Sequence, residues 1–176
     1  NVTGSSGLGT FTLLGAHAIT GEIGSTLLGD NWLKLLTGGN GAVTINGNVK
    51  AETINFAADN ELKIGSGYNI TGLVTASNDG TDGTLTFLGS TSTGGDIGAT
   101  GEALKIVNFN GATTLSHDIF ATNTYIKTGS TVTMSGDSTI TGNLTLNNTL
   151  DCVLDLGLNT LTLDGTGVYT QNANSK

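Results

Sequence analysis

The chain has 176 residues, a net charge of −8 and a sequence pI of about 4.3. It contains 28 glycines, no proline and only 11% charged residues, and all of its basic residues are lysines. This composition excludes collagen, which needs proline and a three-residue glycine period, and a basic surface for nucleic acids or anionic membranes. No apolar run reaches transmembrane length, so we expect no direct insertion of this segment into a membrane.

Short runs in which apolar and polar residues alternate follow one another along the chain and predict half-buried β-strands. Helix signals are poor: the one helix-like run is 27–36, and we assign its part from Leu33 to Leu36 to a strand. The apolar pairs that predict strands are, in chain order, Val43/Ile45, Ile54/Phe56, Leu62/Ile64, Leu85/Phe87, Val132/Met134, Leu144/Leu146 and Leu161/Leu163.

Asn-Gly and Asp-Gly pairs separate many of these runs. Such pairs tolerate the positive φ of tight turns, so each is predicted to mark a bend. They are Asn40-Gly41, Asn46-Gly47, Asp79-Gly80, Asn110-Gly111 and Asp164-Gly165.

Segments of the first half of the chain recur, in order, in the second half. Gly21-Glu22-Ile23-Gly24 returns 74 residues later as Gly95-Asp96-Ile97-Gly98, and Ile70-Thr71-Gly72 returns 70 residues later as Ile140-Thr141-Gly142. We therefore predict one domain, 1–176, with repeats over about 9–82 and 83–159 and a partial third copy from 160.

Within a copy, matching strands recur about every 19 residues, as from Ile45 to Ile64. That spacing suits one coil of two or three short strands and predicts a right-handed parallel β-helix, an all-β solenoid with apolar side chains stacked inside. The absence of proline agrees, because an interior strand needs every N–H. The alternative is an antiparallel β-sandwich, which the Asn-Gly pairs also permit.

Several stretches resemble passenger domains of bacterial autotransporters, particularly rickettsial surface cell antigens of the outer membrane protein B type. They are GTLTFLG (83–89), GGDIGATGEALKIVNF (94–109), NLTLNNTL (143–150) and above all GAVTINGNVKAETINFAADNEL (41–62). The resemblance implies a right-handed β-helix displayed outside an outer membrane, often as an adhesin. It also implies anchoring through a membrane barrel in another part of the parent protein.

The stretch SNDGTDGT, 77–84, holds the best candidate site. Asp79 and Asp82 would serve as acid and base only if a sugar lay between them, and Asn78, Asp79 and Asp82 would supply part of a calcium site. Turn aspartates before glycine are the plainer interpretation of the same residues. We therefore predict no catalytic residue and no cofactor, with calcium at these three residues as the alternative.

Other chemistry-bearing residues have simpler roles. Cys152 shares strand parity with Leu154 and Leu156 and is predicted to be a small buried hydrophobic residue. His17 and His117 occupy unrelated positions in the repeat and are predicted to be surface residues, and Trp32 is predicted to be partly buried at a coil junction.

Together with this resemblance, the repeat and the low charge favour a non-enzymatic surface module that attaches a bacterium to a protein or glycan of host or neighbouring cells. Self-association, end to end or side by side, is a further expected contact, because open coil ends expose unpaired edges. A carbohydrate-binding or polysaccharide-cleaving β-helix protein is the alternative. Ice binding through Thr-x-Thr pairs is a third hypothesis, which their irregular spacing disfavours.

Overall fold

A computed structural model describes residues 9–24, 33–38, 41–127, 129–146, 151–165 and 167–171. The described residues form strands and turns, with every strand pair parallel. The strands are β1 (Thr10–Leu14), β2 (His17–Thr20), β3 (Leu33–Gly38), β4 (Ala42–Asn46), β5 (Val49–Phe56), β6 (Glu61–Ile64), β7 (Ile70–Ala76), β8 (Thr84–Phe87), β9 (Thr91–Ser92), β10 (Leu104–Phe109), β11 (Thr113–Leu115), β12 (Ile119–Ile126), β13 (Thr131–Met134), β14 (Ser138–Leu146), β15 (Val153–Asp155), β16 (Leu161–Asp164) and β17 (Tyr169–Gln171).

The strands wind into a solenoid with three faces. The first face carries β1, β3, the second halves of both β5 and β7, the first halves of both β12 and β14, and β16. The second face carries β2, β4, β6, β8, β10, the second half of β12 and β14, and β17. The third face carries the start of β5 and β7 and then β9, β11, β13 and β15. The predicted parallel solenoid is thus confirmed over the antiparallel sandwich, and its right-handed coil stays a prediction.

Like side chains meet in columns down the interior. One column of the second face runs through Ile45, Ile64, Phe87, Phe109 and Ile126, each at most 1% exposed. The rings of Phe87 and Phe109 stack with centroids 5.4 Å apart and planes 7° from parallel. Because each such side chain gains about 1.5–3 kcal/mol on full burial, these columns stabilise the coil-on-coil stack.

The length of a turn varies along the solenoid. Paired residues of the second face are 26 positions apart from Ile19 to Ile45 and 17 apart from Phe109 to Ile126. The predicted spacing of about 19 lies inside this range. Loops at the corners absorb the difference, since a corner tolerates insertions that a paired strand does not.

One copy of the sequence repeat covers three full turns of the solenoid and one of the three faces of the next turn. On the first face, Ile54 is followed at successive turns by Val74, Ile97 and Ile119. Thr124, the residue 70 positions after Ile54, instead pairs with its neighbours on the second face. Matching segments of the two copies therefore lie on adjacent faces of the solenoid. The proposed copy boundaries stay predictions.

Corner geometry is nevertheless the same in both copies. The register shifts between Lys50 and Thr53 where β5 meets β7, and between Phe120 and Asn123 where β12 meets β14. At each bend a glycine with positive φ, Gly72 or Gly142, lies against the carbonyl of the preceding coil.

The predicted glycine turns divide into two kinds. Gly41, Gly80 and Gly165 have positive φ, as predicted. Gly47 and Gly111 also lie in bends, as predicted, but neither has positive φ. These two are needed for close approach: a Cβ would lie 1.9 Å from the carbonyl oxygen of Gly21 and 2.5 Å from the Cα of Gly89, respectively.

Two further details depart from the expected pattern of apolar residues inside and threonine outside. Thr91 and Thr113 point inward and share a buried hydrogen bond of 3.2 Å between their hydroxyls. Leu163 continues an interior column but is 47% exposed, because β16 has no described neighbour on its far side. The strand prediction at Leu33–Leu36 is confirmed, whereas Trp32 and Asn40 lie outside the described residues.

Candidate binding groove

A groove runs along the corner between the first and second faces. On two successive turns, β12 and β14 cross this corner as continuous strands without a loop. The preceding turns carry corner loops instead, at 77–83 and 98–103, and on the other side β16 ends at Asp164. The strands thus form the floor of a depression that is bounded by the loops on one side and by Asp164 on the other. We call this depression the corner groove.

The corner groove has a volume of about 500 Å³, within the range of small-molecule sites. Half of its lining is glycine and alanine, mostly from the loops, and the floor adds the half-buried side chain of Phe120 and two threonines. The lining residues are Asp79, Gly80, Ala99, Thr100, Gly101, Ala103, Phe120, Ala121, Thr122, Thr141, Gly142 and Asp164.

Carboxylates stand at both ends of the corner groove. Asp79 accepts a hydrogen bond from the backbone N–H of Ala103 at 2.9 Å, and Asp164 accepts one from the N–H of Gly165 at 2.7 Å. Both side chains belong to exposed residues. Asp79 and Asp164 are four turns apart, or about 19 Å along the axis at the usual strand spacing. Among the described residues that line the groove there is no basic side chain, so its electrostatic character is negative.

The hydroxyl of Thr122 is held in place on the groove floor. It donates to the backbone carbonyl of Gly80 at 2.8 Å, which links two turns of the corner. The oxygen of that hydroxyl keeps its lone pairs for a donor from a ligand. Together with the two carboxylates, the groove offers mainly acceptors.

Of the three residues predicted at 77–84, the structure brings Asn78 and Asp82 together and directs Asp79 to the next coil. Asn78 donates from Nδ2 to Oδ2 of Asp82 at 2.5 Å, and Asp82 is buried. Asp79 is bonded to the next coil and lines the corner groove, which Asp82 does not. Gly80 and Gly83 have positive φ, which agrees with turn aspartates before glycine, whereas calcium at Asn78, Asp79 and Asp82 stays a prediction. Within the described ranges, no three histidine, cysteine or acidic residues are grouped to hold a metal ion.

A second row of aspartates marks the corner before the first face. Oδ1 of Asp96 accepts from the backbone N–H of Asp118 at 3.1 Å, and Oδ1 of Asp118 accepts from the N–H of Thr139 at 2.6 Å. Asp137 bonds in the same way to Thr160 at 2.7 Å. These carboxylates link each coil to the next, so the row has a structural role in the described chain.

The remaining reactive side chains occupy ordinary environments. Cys152 is fully buried, as predicted, and burial raises the pKa of its thiol. His117 Nδ1 lies 2.8 Å from Oγ of Ser116. The neighbouring Asp118 does not complete a Ser-His-Asp arrangement with them in this geometry, because its Oδ1 accepts from the N–H of Thr139 in the next coil. His17 is exposed and bonds to the carbonyl of Leu14.

The sequence indicates one end of the corner groove, Asp79, and not the rest. Asp164 carries only the signal of a turn residue before glycine. Phe120 and Thr122 carry no local signal, because a half-buried aromatic and a threonine are common in any strand. Only the stacking of four turns brings these residues to one surface.

Over 116 residues, 64% of this chain, the sequence is 34% identical to Outer membrane protein A of Rickettsia rickettsii. The chain spans about 5% of the length of that protein. No family model and no solved structure matches the chain.

The described strands and turns include no helix long and apolar enough to cross a membrane.

Proposed function

We propose that this chain is a surface-displayed segment of a bacterial autotransporter passenger of the rickettsial surface cell antigen type. It acts outside the cell, anchored to the outer membrane through another part of its parent protein, and attaches the cell to host or neighbouring cells without catalysis. The observation that carries the proposal is the similarity to an outer membrane protein over 116 residues, in a chain that folds as a parallel solenoid.

The mechanics of the solenoid support a role in attachment. Parallel pairing links each coil to the next on three faces, so the described coils form a continuous ladder suited to a stiff spacer. On the second face, the half-buried side chains of Glu61 and Asn108 are ordered across coils by bonds to Thr86, which is 2% exposed: Thr86 donates to Glu61 at 2.7 Å, and Asn108 donates to Thr86 at 3.3 Å. Side chains that are already ordered lose less entropy when a partner binds.

Surface display is tested on intact cells of the source organism. Antibodies raised against the folded chain should label unpermeabilised cells, and external protease should remove the label while a cytoplasmic marker survives. Labelling that requires permeabilised cells would contradict the location.

Attachment is tested separately with beads coated with the folded chain. We expect such beads to bind host or neighbouring cells above beads coated with albumin, and soluble chain to compete. Equal binding of both bead types would contradict the attachment role and leave the location untouched.

End-to-end self-association belongs to the same proposal. Leu163 and Tyr169 continue interior columns in the last described coil and are 47% and 46% exposed. Light scattering of the purified chain should show an apparent mass that rises with concentration, and Leu163→Ser should reduce the rise. A constant monomer mass up to millimolar concentration would contradict this contact.

The corner groove favours a second candidate, a carbohydrate-binding β-helix protein. The two carboxylates of the groove are about 19 Å apart, whereas the acid pairs of glycosidases lie roughly 5–9.5 Å apart. This separation supports binding of a carbohydrate rather than its cleavage. The preference for binding would be overturned if the chain released reducing ends from polysaccharides and if Asp79→Asn or Asp82→Asn abolished that release.

A further inference from the structure

We propose that the corner groove is a glycan-binding site that takes a short run of neutral or amino sugars and rejects sulfated and uronic-acid glycans. The inference rests on the proposed attachment function and names the chemistry of one of its partners. Three features of the groove carry it: its charge, its hydrogen-bonding character and the shape set by the strands below.

The charge of the corner groove selects against anionic ligands. Asp79 and Asp164 stand at its two ends, its described lining holds no basic side chain, and the whole chain carries a charge of −8. An anionic sugar would meet like charge at both ends and lose affinity, whereas an amine would gain it.

The hydrogen-bonding groups of the groove suit a ligand rich in hydroxyl donors. Each terminal carboxylate uses only Oδ1 in its bond to the described backbone and leaves Oδ2 to accept from a ligand. Thr122 is fixed by its bond to Gly80, and Thr100 and Thr141 line the same groove. A sugar chain presents hydroxyl groups all along its length, which matches this row of acceptors.

The floor explains why a sugar fits better than an extended peptide. Gly142 and Ala121 leave no deep apolar pocket for a peptide side chain, and Phe120 supplies a half-buried ring against which the C–H face of a sugar can pack. The groove also runs across the strands, so a peptide in it meets no free strand edge for backbone pairing.

The test compares three chito-oligosaccharides of equal length by calorimetry: the fully deacetylated glucosamine oligomer, the N-acetylated oligomer and a sulfated oligomer. We expect affinity to fall in that order, with no measurable binding of the sulfated form. Asp79→Asn and Asp164→Asn keep the Oδ1 acceptor while removing the charge, so each should fold normally and weaken binding of the glucosamine oligomer about tenfold.

Asp151→Asn is the matched control, because Asp151 is exposed, lies next to the third face and does not line the groove. It removes the same charge and should leave the affinity unchanged. Phe120→Ala should weaken both unsulfated oligomers, with thermal melting used to show that the coil persists.

The outcomes separate this inference from the attachment function. If coated beads bind cells but no oligomer binds, or if lysine-rich peptides bind and sugars do not, the glycan site is wrong and attachment stands. An equal loss of affinity in Asp79→Asn and Asp151→Asn would also overturn the glycan site, since the net charge of the chain would then explain the effect. If the oligomers bind in the predicted order but the beads do not, the site stands and attachment fails.

Discussion

Replacing Gly142 by alanine tests the close packing of coils at the corners. Gly142 has φ +104°, and an added Cβ would lie 1.9 Å from the carbonyl oxygen of Ala121 in the preceding coil. Real Cβ atoms essentially never approach closer than 3.0 Å, so the two coils must separate locally by about 1.1 Å. A backbone hydrogen bond of about 2.9 Å stretched by that amount is broken.

The expected cost follows from two contributions. The positive φ costs an alanine about 1–2 kcal/mol, and each inter-coil hydrogen bond lost at the bend costs about 1 kcal/mol. With one such bond lost, we expect Gly142→Ala to lower the free energy of unfolding by about 2–3 kcal/mol. Urea unfolding followed by far-ultraviolet circular dichroism measures this change.

Gly67→Ala separates the two contributions. Gly67 also has positive φ, +86°, but nothing lies within 4 Å of its added Cβ. It should cost only the backbone term of about 1–2 kcal/mol. Gly72→Ala, at the equivalent bend 1.8 Å from the carbonyl oxygen of Ala51, should match Gly142→Ala. Equal unfolding midpoints for Gly67→Ala and Gly142→Ala would refute the close-packing argument.

Three further perturbations test the core, the coil links and the buried thiol. Phe109→Ala removes the stack on Phe87 and opens a cavity, and should cost about 3–5 kcal/mol in urea unfolding; a cost below about 1 kcal/mol would mean that the column is not packed as described. Asp118→Ala should cost about 1–2 kcal/mol, because the N–H of Thr139 loses its acceptor, whereas Asp118→Asn keeps an acceptor and should cost much less; equal costs would count against the hydrogen bond. Burial raises the pKa of the Cys152 thiol, so the folded state holds that proton more tightly than the unfolded state does. The resulting stability is fully present below the pKa of an exposed thiol, near 9.0, and is lost as pH rises through the folded pKa. The unfolding midpoint should therefore fall more between pH 8 and pH 11 in the wild type than in Cys152→Ala, and parallel curves would refute it.

The strands themselves could be predicted from the sequence because their signal is local. Period-two alternation at Val43/Ile45 or Leu85/Phe87 places alternate side chains on opposite sides of a strand, whatever the strand pairs with. The missing proline and the ordered repeat then favour stacked coils, since such coils need every N–H and tolerate repetition.

The faces and the groove were decided by the tertiary structure alone. A repeat of 70 residues is not a whole number of turns, so Ile54 and Thr124 occupy equivalent places in the sequence but different faces in space. The position of a residue around the axis is the sum of every preceding turn and corner loop, and no short window contains that sum. For the same reason, nothing near Asp79 in the sequence indicates that Asp164 closes the other end of its groove.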